Sequence, residues 1–100
     1  MAVAIVMEFE GATLGQYDAV IERMGFSEEG PGAPGALFHW VAETESGIRV
    51  TDVWEDRAQF DAFTASKIGP ITQAVGFPGP PKTTVYEVYN YLTSGASVPA

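Results

Sequence analysis

The stretch Gly47-Ile-Arg-Val-Thr-Asp-Val-Trp-Glu55 constrains the fold more than any other, because it alternates as a strand, leaves a turn and runs straight into a helix start. At period two, one face carries Ile48, Val50, Asp52 and Trp54 and the other carries Arg49, Thr51 and Val53, so one acid sits on the greasier face. The preceding run, Ala36 to Ala42, is equally strand-like, and Glu43-Thr-Glu-Ser-Gly47 is short and polar enough for a hairpin loop. If Glu43 and Ile48 bracket a four-residue loop, Val41 faces Val50, His39 faces Asp52 and Leu37 faces Trp54. The only histidine of the chain then meets an acid in the interior of a hairpin.

Around this hairpin the chain reads in order. Ala2 to Phe9 forms a first strand, with Val3, Ile5, Met7 and Phe9 on one face; its near-continuous apolarity predicts that both faces are covered. Thr13 and Gln16 form a capping box for a helix whose buried stripe is Leu14, Tyr17, Val20, Ile21 and Met24, ended by Gly25. Ser27 to Gly35, rich in glycine and proline, is a loop that serves either as a connector or as a lid over a pocket. Asp56 caps a second helix with Phe60, Phe63, Ile68, Ile71 and Val75 on its apolar side, and Gly69-Pro70 is expected to kink or split it. Thr83 to Tyr91 is a fourth strand, and residues 93–100 form a flexible tail after a single domain over 1–92.

The order strand, helix, strand, strand, helix, strand is that of an α+β, ferredoxin-like βαββαβ domain with an antiparallel sheet and both helices on one face. The other face would leave Phe38, Trp40, Arg49, Thr51 and Val53 in water, an apolar patch that a second copy of the chain would cover. A homodimer through this open face is therefore expected, with Arg49 beside Trp40 supporting it through stacking and salt bridges.

The strand ending Asp52-Val53-Trp54-Glu55, the helix that follows at once with Phe60 and Phe63, and the element order together resemble the dimeric α/β-barrel proteins, and within them the small antibiotic-biosynthesis-monooxygenase-like group. That resemblance implies two sheets packed into a barrel at a dimer interface and a cavity between the sheet and helices of each protomer. It also implies a cofactor-independent enzyme, monooxygenase- or cyclase-like, acting on a small aromatic or polyketide-like molecule, with Trp54 lining the cavity. One departure counts against haem ligation: the helix position where the group often has histidine holds aromatic and small residues here, Phe60 to Ala65.

Composition narrows the chemistry further. A net charge of −8 disfavours nucleic acid and anionic membranes as partners. Without cysteine there is no disulfide framework and no thiolate chemistry, and one histidine with scattered carboxylates makes no recognisable metal-ligand set. No glycine-rich phosphate loop is present, so no cofactor is expected. The apolar start lacks a basic region and is interrupted by Glu8 and Glu10, so a cytoplasmic protein without a membrane span is expected. His39, Asp52 and Trp54 are the candidate catalytic residues, and Tyr17, Phe60, Phe63 and Tyr86 the candidate walls of an aromatic pocket. The competing reading makes His39 and Asp52 a satisfied buried pair that fixes the hairpin register, in a non-catalytic ligand-binding or protein-binding dimer.

Overall fold

The computed structural model describes residues 1–92; the tail expected at 93–100 lies outside the described residues. Strand β1 spans Val3–Glu10, helix α1 Leu14–Met24, β2 Ala36–Glu43, β3 Gly47–Trp54, α2 Arg57–Phe63, α3 Gly69–Val75 and β4 Lys82–Glu87, with a π-helical turn, Thr64–Ile68, joining α2 to α3. The four strands form one sheet in the order β2-β3-β1-β4, and every neighbouring pair is antiparallel. This is the α+β ferredoxin-like arrangement. Among the described residues no helix is long and apolar enough to cross a membrane.

Alternation decides which face of the sheet is covered. Val3, Ile5, Met7 and Phe9 of β1 and Ile48, Val50, Asp52 and Trp54 of β3 are all buried, beneath the helices. Their neighbours on the opposite face, Ala4, Val6, Thr51 and Val53, are only partly covered. The side expected to be covered on both faces of β1 is thus half open in the single chain. Ile5 and Trp54 are fully buried side chains, and truncating such a residue to alanine costs about 2–5 kcal/mol.

Local chemistry sets the element ends. Thr13 accepts from the Gln16 amide while the Gln16 side chain accepts from the Thr13 amide, so two orphan helix donors are satisfied reciprocally. Gly25 and Gly76 close α1 and α3 in the left-handed conformation. Gly47 has a different reason: a Cβ there would lie 2.0 Å from the Phe9 carbonyl oxygen, so only glycine lets β3 enter beside β1. The second helical run is split, but before Gly69 rather than at it. Pro70 has no N–H for an i→i−4 ladder, so the helix widens over Thr64–Ile68, the Gly69 amide reaches back to the Thr64 carbonyl, and Pro70 falls in the first turn of α3.

The largest departures from the sequence expectation are one strand end and one register. Strand β4 stops at Glu87, not Tyr91: among the described residues it pairs with β1 alone, and Glu87 already faces Val3, the first strand residue; a last backbone hydrogen bond runs from the Val88 amide to the Ala2 carbonyl. In the hairpin, Glu43 pairs with Ile48, Val41 with Val50 and His39 with Asp52 as expected, but Ala36 and not Leu37 faces Trp54. Leu37 is the extra residue of a β-bulge between Ala36 and Phe38, and alternation alone does not reveal such an insertion.

Candidate active site

Three elements converge on the buried acid. Asp52 projects from β3 beneath the helices, His39 stands directly opposite it on β2, and Tyr17 comes down from the inward stripe of α1. His39 Nδ1 lies 2.5 Å from Asp52 Oδ1, and the Tyr17 hydroxyl lies 2.5 Å from His39 Nε2. The second carboxylate oxygen is also taken, because Trp54 Nε1–H donates to Asp52 Oδ2 at 3.1 Å. An ionised carboxylate only accepts, so Nδ1 carries the imidazole proton and Nε2 is left as an acceptor for the tyrosine O–H. Side-chain exposure falls from 38% at His39 to 7% at Asp52, so the chain runs from a half-open ring to a closed anion.

The phenol end of this chain is held protonated. Burial, then the charge of Asp52, then that of Asp18 push the Tyr17 hydroxyl up to about 12 from its ordinary 10.0. Tyr17 is therefore a donor to His39 across the physiological range, and its oxygen lone pairs remain available on the other side.

These residues open into a cleft of about 1250 Å³ between α1, the loop that follows it and the inner face of β2 and β3. Tyr17, His39, Asp52, Trp54 and Phe63 all line it, with Ile68, Thr72 and Phe77 behind. The glycine- and proline-rich segment supplies part of the wall from Ser27 to Ala33, which puts the loop over the site whether or not it moves. The Trp54 indole is wedged between two rings, 6.0 Å from Phe60 and 5.3 Å from Phe63, and Phe63 stacks on Phe26 of the loop at 6.4 Å.

Not every expected wall residue reaches the cleft. Phe60 is buried in the core behind Trp54. Tyr86 lies on the wrong face: it pairs across from Ala4, whereas Val85 faces Ile5, so the tyrosine points to the open side of the sheet and is 58% exposed. Arg49, on the open face, forms a salt bridge as expected, and within one chain its guanidinium pairs with Glu8 of β1. The residue whose role sequence reasoning missed is Tyr17, read as an aromatic wall; its place on the buried stripe was visible, but not that its hydroxyl reaches β2.

Among the described residues no group of three or more histidine, cysteine or acidic side chains is placed to bind a metal.

Neither a protein-family model nor a curated protein matches the chain. Solved structures do. A protein from Chloroflexus aurantiacus J-10-fl assigned to the antibiotic biosynthesis monooxygenases superimposes with a TM-score of 0.63 at 21% identity, covering 93% of this chain and 98% of that one. The ActVA-Orf6 monooxygenase of Streptomyces coelicolor, solved with nanaomycin D, gives 0.54 at 18% identity over 93% and 91% of the two chains. SnoaB, a cofactor-independent oxygenase of Streptomyces nogalater, gives 0.56 at 16% over 93% and 96%. The chain therefore has the ferredoxin-like fold of the antibiotic biosynthesis monooxygenase-like proteins.

Proposed function

We propose that the protein is a small cofactor-independent enzyme, monooxygenase- or cyclase-like, that removes a proton from a phenolic or enolic molecule held in the cleft. The observation that carries this reading is the Tyr17–His39–Asp52 chain, closed at the acid and meeting the cleft at both His39 and Tyr17. Asp52 fixes the tautomer, His39 Nε2 is the acceptor, and Tyr17 stands between it and the ligand. A ligand hydroxyl bonded to the Tyr17 oxygen can pass its proton to that oxygen as the tyrosine proton moves to Nε2. The resulting phenolate or enolate is the electron-rich form that either closes a ring or reacts with dioxygen. In the second case one phenol and one dioxygen balance to a quinone and water.

The cleft volume favours this reading and the ligand-binding one over a purely protein-binding role, which would need a filled interior. The neighbour solved with nanaomycin D supports a small polycyclic ligand. The working form is a homodimer through the open sheet face, where Phe38 is 61% and Trp40 40% exposed in the single chain.

A panel of planar phenols and quinones tests the proposal, with oxygen uptake and product formation as readouts. His39→Ala should lower turnover about a hundredfold or more while the melting temperature barely moves. If the wild type binds none of the panel and both His39→Ala and Asp52→Asn melt far lower, the pair is structural and the enzyme reading falls.

A further inference from the structure

The rim of the cleft carries one sign of charge. Asp18 and Glu22 stand one helical turn apart on α1, Glu28 and Glu29 follow on the loop, and all four line the cleft with exposed side chains. None of them forms an ion pair among the described residues. The five basic residues are Arg23, Arg49, Arg57, Lys67 and Lys82, and none lines the cleft. Arg49 is held by Glu8 at the open sheet face, and Arg57 by Asp61 along α2.

Hydrogen-bond polarity points the same way, independently of charge. Deep in the cleft the side-chain donors are already committed: Tyr17 to His39, His39 Nδ1 to Asp52, Trp54 Nε1 to Asp52 and the Thr72 hydroxyl to the Ile68 carbonyl. What these groups leave for a ligand is the lone pairs of the Tyr17 oxygen, which accept. A carboxylate brought here would meet no free donor from them, would lose its water against Phe63 and Phe77, and would face four like charges at the mouth.

We propose that the cleft selects its ligand by charge, taking an uncharged or amine-bearing hydroxyaromatic molecule and turning away the carboxylate-bearing analogue. This rests on the proposed reading of the cleft as a phenol site. The acid rim draws a cation in, the Tyr17 oxygen receives its hydroxyl, and the aromatic walls hold the ring.

Calorimetric titration of the 100-residue chain with naphthol, its aminomethyl derivative and its carboxylate derivative tests the idea. The expected order is aminomethyl at least as tight as naphthol, and naphthol about fivefold or more tighter than the carboxylate at low salt, the gap narrowing as salt screens the rim. Neutralising the rim in the Asp18→Asn, Glu22→Gln, Glu28→Gln, Glu29→Gln variant should narrow the spacing between the three affinities, leaving the part of the carboxylate penalty that the donor-poor interior sets. Removing two acids away from the cleft, Glu43→Gln with Glu45→Gln, should leave the order intact, which separates a rim effect from overall charge. Equal affinity for naphthol and its carboxylate, or a spacing unmoved by the rim variant, overturns charge selection and spares the phenol site. Failure of all three probes to bind overturns both.

Discussion

The Tyr17 hydroxyl and His39 Nε2 are 2.5 Å apart although 22 residues separate them in sequence, and their rings lie nearly parallel, 12° from coplanar orientation. This contact ties helix to sheet at the one place where a titratable chain opens to the cleft. Removing the hydroxyl alone tests whether the tyrosine passes a proton or merely packs. Tyr17→Phe keeps the ring and its burial, so the fold should persist with less than about 1 kcal/mol lost. Turnover on a phenol should nevertheless drop tenfold or more, because His39 would face the ligand with a gap in place of the bridging oxygen. Unchanged turnover would make Tyr17 a wall and His39 the group that touches the substrate.

Alkaline titration offers a second measurement on the same side chain. With the folded phenol near 12 and the unfolded one near 10.0, the unfolded chain releases this proton first as pH rises. The contribution is thus fully present below the unfolded value and is lost as pH climbs through the folded one. Urea midpoints should fall more steeply with pH across that window for the wild type than for Tyr17→Phe. Parallel slopes would mean that the tyrosine is not held in its protonated form.

Asp52 has the opposite character, since it is buried and accepts from two donors. Asp52→Asn offers one acceptor and one donor to a site that needs two acceptors. Either His39 Nδ1–H or the Trp54 indole N–H must therefore confront an N–H. A loss of about 1–3 kcal/mol in chemical denaturation is expected, larger than for His39→Ala, whose position water can reach. The reverse order would place the stabilising role on the histidine.

The open sheet face yields a prediction about assembly. Phe38, Trp40 and Tyr86 present exposed aromatic surface on one side of the sheet, with Val6 and Val53 half-covered between them. Sedimentation at micromolar concentration should give a dimer. Trp40→Glu should dissociate or unfold it, because an unpaired buried charge costs several kcal/mol, comparable to the stability of a small domain. A wild-type monomer would remove the barrel from the proposal.

Much of this was legible from alternation and turn chemistry. The His39–Asp52 contact follows from the length of one polar loop and a period of two, and Thr13 with Gln16 announced the first helix from their spacing alone. Alternation failed where the chain inserts a residue: at Leu37 the count slips by one, and no side chain in the run signals it. It also gave two faces for the last strand without saying which lay beneath the helices, so Tyr86 was placed on the wrong side. The Tyr17 bridge was out of reach for a different reason, because helical spacing fixes a face but not how close that face comes to the sheet.

The strand order has an evolutionary consequence. His39 hangs from β2, an edge strand, and the loop before it forms the cleft wall, whereas the central strand β1 supplies Val3, Ile5, Met7 and Phe9 to the interior and no member of the proton chain. Substitutions in the outer strand and its loop can alter what is bound while the middle of the sheet keeps its side chains. A lineage built on this plan can change ligands by rewriting its margin, and a protein engineer has the same margin to randomise.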